Sequence, residues 1–349
     1  MPLRKLYLEL TSRCNLDCSM CYRRTWSDGE ADMAPELFGS IKKQILGPEG
    51  PGIIVLGGIG EPSVSPLFID ALEAFGGRQG RELIVTSNGA GYSDQLVEAV
   101  ARRVDLLMVS IDGMDSTYGQ LRGASLRETV STIERVNAAR ARAGLAGSNI
   151  GIQFVLSRDN AADAAGVVEL AADLRAGVVV LSHLLPQTPG QDATVLYGRT
   201  ADDDAKRLFA KLASTAWHRG LKLVLPRLEL KTERYCSFVE NDAAVVTAGG
   251  AVAPCYRLAH AYPEFVLGRR KDVLAHSFGD ALKTPLSAIW DDAAYAGFRH
   301  TVFSNRYPSC LDCDLVDGCD LCRDTSADCH AGSPSCADCP WSRGFTLCP

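Results

Sequence analysis

Three cysteines, Cys14, Cys18 and Cys21, fall within eight residues in the order C-x3-C-x2-C, and the next cysteine in the chain is Cys236. Three thiolates bind a soft metal or a metal cluster and leave one coordination position for an outside ligand. Structural zinc sites usually close with four ligands, and this spacing is not that of paired zinc knuckles. A cubane [4Fe–4S] cluster is ordinarily held by four cysteines, so three would leave one iron open. Ten further cysteines lie between Cys236 and Cys348. Several of them form C-x2-C pairs, which suit iron–sulfur clusters and zinc equally well.

The bulk properties narrow the setting. With 349 residues, 46% of them hydrophobic and 22% charged, the chain has room for one large domain and a smaller one. The formal net charge is −6 and no basic block stands out, which argues against a nucleic-acid partner. No signal peptide and no apolar run of bilayer length is visible, so the expectation is a cytoplasmic protein with no membrane partner. In a reducing compartment, an odd total of thirteen cysteines argues against a disulfide framework.

Between Cys21 and Cys236 the sequence alternates between two patterns. Nearly continuous apolar runs at 5–10, 52–58, 82–89, 106–113, 149–157 and 177–186 read as strands buried on both faces. Stretches at 34–46, 65–75, 94–104, 126–144 and 161–177 carry apolar residues three and four apart and read as helices. This succession predicts an α/β fold, a partial (β/α)6 TIM-like barrel, with chemistry at the carboxyl ends of the strands. Gly57, Gly58, Gly60, Glu61, Ser87, Asn88, Gly89, Ser110, Asp112 and Gly113 collect at those ends, and the cysteine triad follows the first strand. The segment 186–200 is rich in turn formers and reads as a loop over the barrel mouth. A helix at 201–220 and a strand at 221–226 follow. Composition changes near 227, which sets the expected domains at 1–226 and 227–349.

Cys14-x3-Cys18-x2-Cys21 after a first strand, with five β-α units behind it, resembles the radical S-adenosylmethionine (SAM) superfamily. The resemblance implies a [4Fe–4S] cluster on the triad, with SAM chelating the open iron. It also implies cleavage of SAM to a 5′-deoxyadenosyl radical that removes hydrogen from a substrate. Met20 stands where the family usually places an aromatic residue against the adenine, and a thioether also packs well on aromatic rings. "GGIGEP" (57–62) resembles the family's glycine-rich motif: Gly57, Gly58 and Gly60 would let backbone approach the methionine part of SAM, and Glu61 would accept from its ammonium. The same residues would also make a plain strand-to-helix turn with Glu61 at the helix start. "VSIDG" (109–113) resembles the segment that meets the ribose, through Ser110 or Asp112, although Asp112 could equally cap the next turn. Arg122 is a candidate partner of the SAM carboxylate or a surface arginine. His183 sits where the sixth strand should open to substrate, and a buried histidine satisfied by its neighbours is the plainer reading.

The C-terminal cysteines resemble the SPASM extension of radical SAM enzymes. Cys236, Gly250 and Cys255 form its first unit, and Cys310-x2-Cys313-x5-Cys319-x2-Cys322 its second, with the last interval one residue short. The resemblance implies two auxiliary [4Fe–4S] clusters, both closed by protein thiolates. Cys236, Cys255 and Cys322 would serve the first. Cys310, Cys313, Cys319 and one of Cys339 or Cys348 would serve the second. A pair of zinc ribbons is the alternative, and the acidic residues crowding 312–328 read as a solvated loop.

"CYRRTW" (21–26) and "DCHAGSPSCADCPWSRGFTLCP" (328–349) further resemble the radical SAM maturase family associated with tungsten-cofactor oxidoreductases. The implied partners are a flavodoxin- or ferredoxin-type reductant and a protein, peptide or cofactor substrate, a tungsten oxidoreductase among the candidates. Tyr256, directly after Cys255, is the candidate for proton or electron exchange with substrate. Two other readings stand beside this one: a peptide-modifying radical SAM/SPASM enzyme, and a non-catalytic scaffold that holds clusters or zinc for a partner.

Overall fold

The computed structural model describes residues 2–145 and 147–348. Seven strands follow the expected rhythm: β1 (Lys5–Leu8), β2 (Ile53–Leu56), β3 (Glu82–Ser87), β4 (Leu106–Ser110), β5 (Ile150–Leu156), β6 (Val178–His183) and β7 (Lys222–Val224). Two more, β8 (Ala243–Val246) and β9 (Val252–Ala253), come from the cysteine-rich half. The sheet order is β7-β6-β5-β4-β3-β2-β1-β8-β9. Neighbours are parallel throughout, except that β9 returns antiparallel to β8. The C-terminal half therefore enters the fold by adding β8 alongside β1, with Tyr7 opposite Val245.

The helices α1 (Pro35–Leu46), α2 (Phe68–Phe75), α3 (Asp94–Arg103), α4 (Asp115–Arg122), α5 (Leu126–Arg142), α6 (Ala164–Asp173), the short α7 (Pro189–Asp192) and α8 (Asp203–His218) connect the strands. Ser93 caps α3 by accepting from Leu96 N at 3.2 Å, and Asp202 caps α8 by accepting from Ala205 N at 2.6 Å. Alternation along the strands sorts their side chains onto two faces. Leu6, Leu8, Ile54, Leu56, Leu83, Val85, Leu107 and Val109 pack against Ile41, Leu72, Phe75, Val100 and Val136 of the helices. The opposite set, Tyr7, Val55, Ile84, Met108 and Val180, packs with Phe238, Tyr256, Leu258, Tyr262 and Trp341 of the C-terminal half. Each fully buried large apolar side chain contributes about 1.5–3 kcal/mol, so both faces are firmly held.

Three elements depart from the pattern read in the sequence. Helix α4 lies where no helix was expected, in a segment whose Asp115, Ser116, Thr117, Tyr118 and Gly119 have modest or poor helix propensity. It ends at Gly123, whose φ of 68° stops the helix just after Arg122. Within 186–200, Thr188 caps the short α7 by accepting from Gln191 N at 3.2 Å. From there Gln191 Nε2 reaches the Ser19 carbonyl of the cysteine loop at 3.4 Å. The cysteine-rich half adds a hairpin, β10 (Tyr262–Val266) with β11 (Arg269–Val273), antiparallel to each other. No helix among the described residues is long and apolar enough to cross a membrane.

Candidate active site

The carboxyl ends of β1 to β6 open into one cavity of about 260 Å³. Cys14, Cys18, Met20 and Cys21 line it from the loop after β1, Gly58, Gly60 and Glu61 from the turn after β2, and Ser110 from the end of β4. Arg122 reaches it from α4, His183 from β6, and Tyr256 from the C-terminal half. The cysteine loop is held on both sides. Ser12 N donates to the Ala31 carbonyl at 2.9 Å, Thr11 Oγ1 to Asp32 Oδ1 at 2.7 Å, and Ser19 N to the Leu121 carbonyl at 2.8 Å. The thiols are half-buried, and burial pushes the Cys18 thiol up to about 11 and Cys14 upward as well. Poorly solvated thiols such as Cys14 and Cys18 are suited to a cationic cluster core, which favours the thiolate form.

The glycine-rich turn also lets neighbouring chain segments approach closely. A Cβ on Gly60 would lie 2.3 Å from the Thr11 carbonyl oxygen and 2.6 Å from that of Arg13, so its lack of a side chain lets the cysteine loop pass. Glu61 N donates to the Arg13 carbonyl at 2.8 Å, which locks the two loops together. Gly57 does not line the cavity. Its missing side chain leaves space for Thr86 of β3, whose Oγ1 would be 1.9 Å from a Cβ there.

Glu61 is buried, and its carboxylate accepts from Ser63 N at 3.2 Å, Ser87 Oγ at 2.8 Å and Asn88 N at 2.7 Å. Burial raises its pKa, while these donors pull the other way. It therefore caps the turn and lines the cavity at once, with three of its acceptor positions filled. Asn88 also donates to Asn15 Oδ1 at 2.8 Å and lies 3.8 Å from Cys14 Sγ, so β3 braces the triad directly.

Asp112 corrects the expectation for strand four. It is completely buried and does not line the cavity. One oxygen accepts from Arg122 Nε at 2.5 Å and the other from Val155 N at 2.6 Å. With both oxygens occupied, it positions Arg122 and does not cap the following turn. Burial works against the charged guanidinium, but Asp112 and Cys18 outweigh it and hold Arg122 above its usual pKa. Arg122 is thus a buried cation at the cavity wall, not a surface arginine.

All thirteen cysteines are free, and those of the C-terminal half sort into groups different from those expected. Cys236, Cys255, Cys336 and Cys339 surround a small second cavity of about 20 Å³, with Phe238, Phe298 and Trp341 among its apolar walls. Burial pushes Cys236 up to about 12 and raises Cys255 and Cys336 well above the usual thiol range. Cys322 is not there; its Sγ lies 3.0 Å from the Cys319 carbonyl oxygen, and the two line another depression with Arg269. Cys310, Cys313, Cys319 and Cys322 follow one another through three short 3-10 turns, Cys310–Asp312, Val316–Gly318 and Asp320–Cys322. Cys339 belongs with Cys236 and Cys255, and Cys348 lines the barrel cavity. Cys336, one of the C-terminal cysteines for which the sequence sets no partner, joins this group through Cys336-x2-Cys339. Among the described residues, no three His, Cys, Asp or Glu side chains converge where a single metal ion could sit; the four thiols enclose a space instead.

A buried charge network lies between the two C-terminal cysteine groups. Arg257 Nε sits 3.2 Å from both carboxylate oxygens of Glu264, Arg257 Nη2 is 3.2 Å from Asp338, and Lys271 Nζ is 3.0 Å from Asp338. Two cations face two carboxylates, so the interior is compensated. Tyr256 is buried, with its ring 4.8 Å from that of Tyr7 and no hydrogen-bond partner for its hydroxyl.

This geometry, a parallel sheet with a three-cysteine loop at its mouth and a cysteine-rich half docked on it, agrees with the comparisons to known proteins. Residues 8–156 match the Radical SAM superfamily and 236–314 match SPASM, an iron–sulfur cluster-binding domain. The chain belongs to the radical SAM superfamily and carries a C-terminal SPASM domain, which implies iron–sulfur clusters and SAM binding. It is 36% identical, over 99% of its length and 97% of the relative's, to the tungsten-containing aldehyde ferredoxin oxidoreductase cofactor-modifying protein of Pyrococcus furiosus. It is 30% identical over 48% of its length to the sporulation killing factor maturation protein SkfB of Bacillus subtilis, covering 39% of that protein. The fold is shared with Streptococcus suis SuiB bound to S-adenosylmethionine, with a TM-score of 0.62 at 16% identity over 92% of this chain and 72% of that one.

Proposed function

We propose that this chain is an enzyme of tungsten-oxidoreductase maturation that cleaves SAM reductively and draws a hydrogen atom from the cofactor or protein being matured. The observation that carries this reading is the convergence of Cys14, Cys18, Cys21, Glu61, Ser110 and Arg122 on one cavity, in a chain that aligns end to end with the Pyrococcus furiosus cofactor-modifying protein. A [4Fe–4S] cluster on the triad would supply the electron that splits SAM into methionine and a 5′-deoxyadenosyl radical. Arg122, fixed by Asp112, would hold the SAM carboxylate, Glu61 its ammonium, and Ser110 the ribose. Met20 would lie against the adenine. Tyr256 would meet substrate at the inner wall.

Two auxiliary [4Fe–4S] clusters, both closed by thiolates, fit the redistributed cysteines: Cys236, Cys255, Cys336 and Cys339 for one, and Cys310, Cys313, Cys319 and Cys322 for the other. A flavodoxin- or ferredoxin-type protein would supply electrons. Residues 1–226 and 227–349 would then act as a SAM domain and a cluster domain that share one cavity. The partial identity to SkfB supports a second reading, a peptide substrate.

The test is anaerobic reconstitution followed by reduction in the presence of SAM. The wild type should hold roughly twelve iron atoms per chain and release 5′-deoxyadenosine. Replacing Cys14, Cys18 and Cys21 together by Ala should abolish 5′-deoxyadenosine and leave roughly eight iron atoms. A wild type that binds iron yet never cleaves SAM would favour the scaffold reading. Given a separated tungsten oxidoreductase and a candidate peptide as alternative substrates, deuterium transfer from one of them into 5′-deoxyadenosine decides between the first two.

A further inference from the structure

Residues 341–348 form one wall of the barrel cavity. Their backbone is tied to β6: His183 N donates to the Phe345 carbonyl at 3.1 Å, and Leu347 N donates to Ser182 Oγ at 3.0 Å. This places Cys348 in the cavity that also contains Cys14, Cys18 and Cys21, and outside the space enclosed by Cys236, Cys255, Cys336 and Cys339. The Trp341 indole Nε1 donates to its sulfur at 3.1 Å, which fixes the side chain.

Two buried polar atoms on residues lining the same cavity have no protein partner, the Tyr256 hydroxyl and His183 Nδ1. His183 Nε2 lies 3.0 Å from the Arg227 carbonyl, which can only accept, so Nε2 carries the proton and Nδ1 offers a lone pair. Burial lowers the His183 pKa to about 4, which keeps the ring neutral. Buried polar groups are normally satisfied, so a ligand bearing polar hydrogens is the natural complement of this wall. Burial also pushes the Cys348 thiol up to about 11, and at neutral pH it keeps its hydrogen.

We propose that Cys348 is the hydrogen-atom donor that ends the radical reaction, acting on a small polar substrate held by Tyr256 and His183; this rests on the radical SAM reading above. An S–H bond is weaker than the C–H bonds of most substrates, so transfer to a carbon radical runs downhill. The S–H bond breaks homolytically and a C–H bond forms on the substrate. The sulfur radical left on Cys348 returns to the thiol with one proton from solvent and one electron, which a reduced [4Fe–4S] cluster, when bound, would supply. The substrate presents an O–H or N–H to His183 Nδ1.

The test uses the reconstituted holoenzyme with SAM and dithionite in deuterium oxide, without substrate. Cys348 then carries S–D, and a 5′-deoxyadenosyl radical with no substrate to attack takes deuterium from it. The wild type should yield deuterated 5′-deoxyadenosine. In Cys348→Ser the deuterium per 5′-deoxyadenosine formed should be lost, because an O–H bond is too strong to replace S–H. Cys348→Ala should behave alike, and Cys329→Ser, at an exposed cysteine, should keep the label. One readout does not depend on turnover: iron per chain should match in wild type and Cys348→Ser. Undiminished deuterium in both Cys348 variants, or loss of about four iron atoms in Cys348→Ser, would each overturn the proposal. No 5′-deoxyadenosine from the wild type would instead overturn the radical SAM reading itself.

Discussion

Arg122 Nε lies 2.5 Å from Asp112 Oδ2, and both side chains are buried at the end of the fourth strand. The strand delivers the carboxylate and α4 delivers the guanidinium, so a pair ten residues apart in sequence becomes a fixed cation beside the cysteine loop. Breaking a buried pair by neutralising one partner typically costs about 3–5 kcal/mol. Asp112→Asn should lower the melting temperature by several degrees and weaken SAM binding, read by calorimetry on the reconstituted protein. Equal SAM affinity in a folded Asp112→Asn variant would remove Arg122 from the SAM site.

Gly60 tests how the cysteine loop is seated. A methyl group there meets two backbone carbonyls, which cannot swing aside as a flexible side chain would. Gly60→Ala should cost roughly 1–3 kcal/mol and reduce occupancy of the cluster on the triad, leaving the auxiliary clusters in place. Electron paramagnetic resonance of the reduced protein with and without SAM would separate the two effects.

The regrouped cysteines make opposite predictions for neighbouring positions. Cys336→Ser should disturb the cluster that Cys236 and Cys255 would share, and Cys322→Ser the one that Cys310 and Cys319 would share. Cys329→Ser should leave iron content unchanged. Iron counting together with the spectrum of each variant distinguishes this arrangement from one in which Cys322 joins Cys236.

His260 joins the two halves of the molecule. Its Nε2 lies 3.2 Å from Glu9 Oε2 and its Nδ1 3.0 Å from Asp28 Oδ2, with Trp26 stacked on the ring at 3.8 Å. Burial opposes the charge, but Glu9 and Asp28 outweigh it and raise the imidazole above its usual pKa of 6.5. The folded state then holds a proton that the unfolded chain releases near 6.5. The stabilisation is complete below that pH and is lost as pH rises through the folded value. His260→Asn should cost about 1.5–3 kcal/mol in acid and progressively less in alkali, measured by thermal denaturation across pH at constant ionic strength. A penalty that does not change with pH would mean that the histidine is neutral and acts by packing alone.

The sequence by itself determined the β/α barrel and the three-cysteine loop at its mouth. Apolar runs such as 106–113 and three-and-four spacing such as that of 126–144 are local patterns, and local patterns survive without knowledge of partners. The C-x3-C-x2-C loop is likewise complete within eight residues. Only the tertiary structure decided which distant residues share a site. That β8 would pair with β1, and not extend past β7, depends on contacts more than two hundred residues apart, which no window reveals. Asp112 looked like a strand-end ligand because its position fits one; packing turned it inward onto Arg122. The same holds for the cysteines: C-x2-C spacing marks Cys322 and Cys339 as ligands in equal measure. Which cavity each enters is set by where turns and β-strands carry the chain, and so the structure grouped Cys339 with Cys236 and Cys255 and brought Cys348 to the barrel.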